Sequence, residues 1–241
     1  MIFVAMDDTD NINTRGTGRL SRDVAKELSK KYPVKGVVRH QLLLHPDIPC
    51  TSHNSCAVIH IDIDIDEHNE DSKELLKEIF NIAKKEMLND FIEGSDPGLA
   101  VASDTQVNSA LIAFGKDAQK IIVTQGQARS LARNLNILLQ GLGGTEDGVI
   151  GTMAGIGLSY TYNDGRYISV GNTREVFGDQ SVETLLNAGI ETIISTEGEI
   201  PNKDVTIKTK KNKSVKPSLI NKEVVLLAEH IRGEWKSVKR K

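Results

Sequence analysis

The stretch Ile2-Phe3-Val4-Ala5-Met6-Asp7-Asp8-Thr9-Asp10 decides how the rest of the chain is read. A short apolar run cut off by carboxylates reads as a buried strand that delivers Asp7, Asp8 and Asp10 at its C-terminal end. Three carboxylates and the Thr9 hydroxyl crowded there are costly, because like charges repel. A divalent cation removes that cost. Mg²⁺ prefers oxygen ligands, usually one or two carboxylates with phosphate and water. In open sheets, ligands also gather beyond the carboxyl ends of strands. For a single Asp, helix or turn capping would be explanation enough; the cluster points to metal and phosphate chemistry.

Outward from this strand, a polar, glycine-containing loop (residues 11–18) leads into a helix expected over 19–31, with Leu20, Val24, Ala25 and Leu28 at helical spacing. Pro33 ends that helix. Residues 34–44 read as a strand, and 45–54 as a loop by its prolines and small polar residues. Residues 56–65 alternate and read as a strand with one wet face. Residues 72–91 form an amphipathic helix pattern. A strand over 99–102 follows, then a helix over 107–114 closed by Gly115. Residues 121–124 read as a strand or a helix continuation, and 128–139 as a helix. A glycine-rich stretch (141–157) precedes an apparent hairpin, 158–162 and 166–170 around Asn163-Asp164-Gly165. A short helix over 180–188 and strands over 205–209 and 224–229 complete the pattern. The mixture predicts an α/β fold, with α+β as the alternative: a mixed sheet with packed helices. A change of character near Tyr167 suggests a larger part, 1–166, and a smaller α+β part, 167–241.

The chain has 241 residues, 39% hydrophobic and 26% charged, which suits a globular protein with a sizeable core. No apolar run approaches the ~20 residues needed to span a bilayer. The N-terminal segment turns acidic at once and does not read as a signal peptide. Cys50 and Cys56 make neither a disulfide framework nor a four-ligand zinc set. These features predict a cytoplasmic protein with no membrane partner. Of 30 Lys and Arg and 33 Asp and Glu, residues 201–241 hold 12 and 4, leaving 18 and 29 in residues 1–200. The basic end is either a polyanion contact, with RNA as the candidate, or a solvated surface.

Three further constellations are candidates for chemistry. In Thr14-Arg15-Gly16-Thr17-Gly18-Arg19, glycines allow backbone N–H groups to approach an anion at a helix start, and Arg15 and Arg19 can clamp phosphate. His40, His45 and His53 fit no zinc spacing. His40 and His53 instead are candidates for proton transfer, with Thr51 and Asn54 as donors to a ribose or phosphate. Gly143, Gly144, Asp147 and Gly148 form a permissive loop able to meet a ligand. Gly151, Gly155 and Gly157 are explained by close packing alone.

Taken together, VAMDDTDN with RGTG (4–18), LHPDIPCTSHNSCAV (44–58), SDPGLAVA (95–102) and GGTEDGVIGTMAGIG (143–157) resemble the N-terminal part of the archaeal tRNA(Ile2) 2-agmatinylcytidine synthetases. The resemblance covers roughly residues 1–165. It implies a kinase-like domain using ATP and Mg²⁺, which in that family activates a tRNA cytidine by phosphorylation before agmatine displaces the phosphate. It places Asp7, Asp8 and Asp10 as metal and phosphate groups, with residues 15–19 near the triphosphate. The family's reactive threonine falls on Arg19 here, one departure, with Thr17 a shifted substitute. Two cysteines cannot build the family's four-cysteine zinc ribbon, and the chain reads as a short relative without that ribbon or the OB-fold. The expectation is an ATP- and Mg²⁺-dependent phosphotransferase-like protein. The alternatives are a non-catalytic nucleotide or RNA binding module and a partner subunit of a separate RNA-binding protein.

Overall fold

Residues 1–10, 16–48, 53–65 and 69–240 are described by a computed structural model. The chain divides into two compact units, Met1–Thr161 and Tyr162–Lys241.

In the first unit the opening run is strand β1 (Ile2–Asp7), and every residue from Ile2 to Met6 is buried. It lies between two antiparallel partners, β3 (Ser55–Ile61) and β4 (Gly98–Ser103). Strands β2 (Val34–Gln41) and β5 (Leu138–Gly141) extend the sheet, in the order β5-β4-β1-β3-β2. Helices α1 (Thr17–Leu28) and α2 (Glu70–Asn89) pack together and cover one face. The other face carries α5 (Gly148–Tyr160), backed by α3 (Ser109–Asp117) and α4 (Gln125–Asn134). A sheet covered on both faces needs apolar residues at every position, which is why β1 and β4 read as continuous runs.

Burial on both faces also removes the wet face expected for β3. Its polar member, His60, is buried, and its Nε2 lies 3.1 Å from Ser159 Oγ on α5. Helix α5 itself is apolar all round, the pattern of a helix enclosed by its own protein. Its small residues permit that enclosure: a Cβ at Gly157 would lie 2.2 Å from the Leu111 carbonyl oxygen of α3.

Several local expectations are corrected. Gly115 lies inside α3 rather than ending it. Residues 121–124 are neither strand nor helix. The helix expected over 128–139 stops at Asn134; Asn136 turns the backbone with φ 52°, and Leu138–Gly141 joins the sheet beside β4. Residues 158–162 form no hairpin with 166–170, because the apolar run continues as helix to Tyr160. Strand β2 ends at Gln41 and β3 at Ile61, each shorter than expected.

The second unit holds β6 (Arg166–Ser169), β7 (Gln180–Ser181), α6 (Val182–Asn187), β8 (Thr192–Ile194), β9 (Thr206–Lys208), β10 (Ser218–Ile220), β11 (Glu223–Ile231) and β12 (Glu234–Ser237). Their order is β6-β10-β11-β12-β9-β7. Strand β8 pairs parallel with β11, and β12 with β9, so the architecture is the mixed α/β type expected. Leu185, Ile190, Ile193, Ile207, Leu226 and Ala228 form its core. The hairpins here turn on Asn221-Lys222 and Arg232-Gly233, all with positive φ, as two-residue turns between twisted strands require.

Candidate functional site

The C-terminal end of β1 opens into a cleft of about 250 Å³ in the first unit. Asp7, Asp8, Asp10, Asp96 and Asp147 line it, together with Thr17, His53, Asn54, Gly148 and Gly151. The rest of its described lining is Asp47 and Ser55 together with the apolar Leu42, Ile48, Ala118, Ile121, Ile122, Val123 and Ile150. The acidic residues come from separate places in the sequence: the end of β1 and its following turn, the segment after β2 that carries Asp47, the loop before β4, and the residue before α5.

Each acid is held differently. Asp7 is the last residue of β1 and points at α5. The missing side chain of Gly151 makes the space: a Cβ there would sit 1.7 Å from Asp7 Oδ2. Burial, then the charges of Asp8 and Asp10, push the Asp7 carboxyl up to about 7. Asp8 has φ 52°, a left-handed conformation unusual outside glycine and tolerated best by Asn and Asp. Strain of this kind gathers at ligand sites. Burial, Asp96, Asp10 and Asp147 push the Asp8 carboxyl up to about 6.

Asp10 is turned toward the start of α1. Its Oδ1 accepts from Thr17 Oγ1 at 2.9 Å and from Thr17 N at 3.3 Å. Thr17 Oγ1 in turn accepts from Thr9 Oγ1 at 3.1 Å. A hydroxyl beside a carboxylate has the geometry of a nucleophile with its base, and also that of a tied helix start. The segment across the cleft is fixed as firmly. Asp96 accepts from Thr145 N, and Gly148 N donates to the Asp96 carbonyl at 2.9 Å. Gln125 Nε2 donates to Asp147 Oδ1 at 2.7 Å. Backbones pass so closely here that a Cβ at Gly98 would lie 2.2 Å from the Gly148 carbonyl carbon.

The structure brings Asp7, Asp8, Asp10, Thr17, His53, Asn54, Asp147 and Gly148 together at one cleft. Other candidates fall elsewhere. His40, expected as a proton-transfer group, is instead fully buried in β2 with Nε2 2.8 Å from Ser159 Oγ, and it does not line the cleft. Its neighbour His60 is pushed down to about 3, mainly by burial, and stays neutral. Arg19 sits on the exposed side of α1 with its Nε 3.5 Å from Asp23, and neither it nor Gly18 lines the cleft. Gly16 is the residue capping α1. Gly143 packs on Phe91 and Gly144 on Asp96, supporting the loop without lining the cleft. Asn54 lines it, yet its Nδ2 donates to the Leu43 carbonyl at 2.8 Å. Arg15 and Thr51 lie outside the described residues.

Asp96 is a site residue that sequence reasoning misses. Its signal lies in the Ser95-Asp96-Pro97-Gly98 loop, which reads as a turn until the fold sets it opposite Asp8. Packing alone does not account for Gly151, because the atom it makes room for is a carboxylate oxygen.

Among the described residues no group of three or more His, Cys, Asp or Glu is arranged to hold a metal ion unaided. Mg²⁺ asks a protein for only one or two carboxylates, with the remaining positions left to phosphate and water, and Asp7 and Asp8 are the two acids of the cleft that could hold it. No helix among the described residues is long and apolar enough to cross a membrane.

No family profile and no curated protein sequence matches the chain. Solved structures do. The apo form of TiaS, a tRNAIle2 agmatidine synthetase, matches at 19% identity and a TM-score of 0.52, covering 65% of this chain and 35% of that one. The TiaS–tRNA(Ile2)–ATP complex matches at 20% identity and 0.53, covering 65% and 36%. A tRNA fluorescent labeling enzyme matches at 20% and 0.53, covering 65% and 35%. The chain spans little more than a third of the length of these proteins. Over 65% of its own length, its fold is therefore similar to part of the tRNAIle2 agmatidine synthetase TiaS.

Proposed function

We propose that the cleft at the end of β1 binds a nucleoside triphosphate with Mg²⁺ and supports phosphoryl transfer. The observation that carries this is the convergence of Asp7, Asp8, Asp10, Asp96 and Asp147 on one cleft. Such crowding is relieved by a cation and, through it, accommodates phosphate. The fold similarity to TiaS, crystallised with ATP and with AMPCPP and agmatine, supports the same ligand class. Bound Mg²⁺ would neutralise charge on the phosphate oxygens. The chain's own part is positioning. Gly151 seats Asp7, the backbone strain at Asp8 aims its carboxylate, and Asp10 fixes Thr17 at the start of α1. The first residues of α1 and α5, Thr17 and Gly148, border the cleft, and their backbone N–H groups are engaged by Asp10 and by the Asp96 carbonyl. His53, exposed at the cleft, is the proton-transfer candidate that remains.

Calorimetric titration tests this directly. ATP with Mg²⁺ is expected to bind the wild type, and Asp8→Asn to weaken binding by about 100-fold, the order expected for losing one metal-held phosphate contact. Absence of binding by ATP and other nucleoside triphosphates, with Mg²⁺ present, would sink the proposal.

An RNA partner is a second reading, favoured by the exposed Lys210, Lys211 and Lys213 on one loop of the second unit. The tRNA complex of TiaS supports the ligand class. Changing these three lysines to Gln is expected to lower RNA affinity and to reduce the slope of log K against log salt by about 2 to 3. An unchanged slope would remove that loop from any RNA contact.

A further inference from the structure

The residues lining the cleft fall into two chemically distinct groups, here called its walls. The acidic group is described above. The other holds Leu42, Ile48, Ala118, Ile121, Ile122 and Val123, with Asp47 beside Ile48 as its one charged member. Ile121 and Ile122 are 55% and 49% exposed, which is a large apolar surface to leave in water on a connecting segment. That segment is anchored. Lys120 N and Ile121 N both donate to the Asp117 carbonyl at 2.8 Å, and Leu43 N donates to the Ala118 carbonyl at 3.0 Å. Gln119 Nε2 donates to the Gln41 carbonyl at 3.1 Å. At its far end Thr124 and Gln127 cap α4 reciprocally. The two isoleucines are therefore presented at the cleft from a fixed backbone.

We propose that this aliphatic wall takes the base of the bound nucleotide, while the acidic wall takes its metal-bound phosphates. The assignment rests on the nucleotide reading above. A ligand spanning both walls must join an apolar, flat portion to a metal-chelating polyphosphate, and a nucleoside triphosphate does so. Covering the isoleucines removes apolar surface from water, and aliphatic CH groups pack against the face of a base without demanding a particular hydrogen-bond pattern.

The experiment compares ATP with inorganic tripolyphosphate, both with Mg²⁺, by calorimetry on the full chain. The wild type is expected to bind ATP at least about tenfold more tightly than tripolyphosphate, the order given by covering two isoleucine side chains. The double variant Ile121→Ser, Ile122→Ser is expected to lose that preference while tripolyphosphate affinity stays within about twofold of wild type. Both positions are half-exposed, and a thermal melt confirms that the variant is folded. Equal affinity for the two ligands in the wild type overturns the proposal and leaves the phosphate site standing. The proposal is likewise overturned if the variant keeps the ATP preference or weakens both ligands alike. Either result would leave the wall to another occupant, such as the base of a phosphate acceptor. If neither ligand binds the wild type, this assignment falls together with the nucleotide reading.

Discussion

Asp7→Asn is expected to make the protein more stable at pH 8 while greatly weakening the Mg–ATP binding proposed for the cleft. The sign follows from the direction of the carboxyl's displacement. Folding raises Asp7 from 3.8 to about 7, so the folded protein binds this proton more tightly than the unfolded chain does. The contribution is full below about pH 4 and is lost as pH rises through 7. At pH 8 the wild type carries a desolvated charge that Asn lacks. Each tenfold change in proton affinity corresponds to about 1.4 kcal/mol, and with solvent reaching into the cleft a gain of roughly 2 kcal/mol is expected. For a protein of this size that is a rise in Tm of about 4 °C or more at pH 8, and close to none at pH 4. Binding moves the other way. Asn keeps the shape but not the charge, and Mg–ATP affinity is expected to fall by about 100-fold or more. Paired melts at pH 4 and pH 8 and a titration at pH 8 check both halves. A residue kept for stability alone would show a loss in the melt, so a stabilised, non-binding variant identifies Asp7 as a group retained for its ligand.

The second large effect is expected at Gly151. In Gly151→Ala the new methyl would fall 1.7 Å from Asp7 Oδ2 and 2.5 Å from its Cγ, so the carboxylate must swing away. A short side chain can yield where a backbone cannot. The cost in stability is therefore modest, about 1 kcal/mol or less once the better helix propensity of Ala is counted. The cost in binding is expected to match that of Asp7→Asn. Gly157→Ala supplies the contrast. There the clash is with the Leu111 backbone carbonyl, at 2.2 Å, and α3 and α5 must separate. A loss of about 2–3 kcal/mol is expected, with nucleotide affinity of the folded protein retained. Combining Gly151→Ala with Asp7→Asn is expected to add little to either alone, since both act on one contact. Full additivity in binding would show that Gly151 acts on something other than Asp7.

Much of this site is legible in the chain. An apolar run ending in Asp7-Asp8-Thr9-Asp10 can hardly be anything but a buried strand delivering carboxylates. The same grammar places α1, α2, β4 and β11 to within a few residues, because their periodicity or length suffices. The glycine-rich run 141–157 stands out in the sequence but reads as a permissive stretch, and local sequence does not reveal that much of it becomes a 13-residue buried helix. Helix α5 forms because it is enclosed by the sheet and by α3 and α4, and enclosure is a property of the whole unit. Strand β5 emerges from an apparent helix for a similar reason: pairing with β4 outweighs a weak helical pattern beyond Asn134.

The sequence by itself determined the chemistry available at the end of β1, since charge, spacing and the abrupt end of an apolar run are local facts. Only the tertiary structure decided which residues share that chemistry. It brought Asp96 and Asp147 across to Asp8, set Gly151 under Asp7, and raised an aliphatic wall from residues 118–123. It also took His40 away into the core, where Ser159 holds it. Proximity between segments a hundred residues apart comes from packing sheet and helices around a common interior, and no local pattern encodes it. The carboxylates of Asp7 and Asp8 acquire their reluctance to ionise from the same source, because burial and distant like charges, rather than the DDTD sequence alone, set their proton affinity.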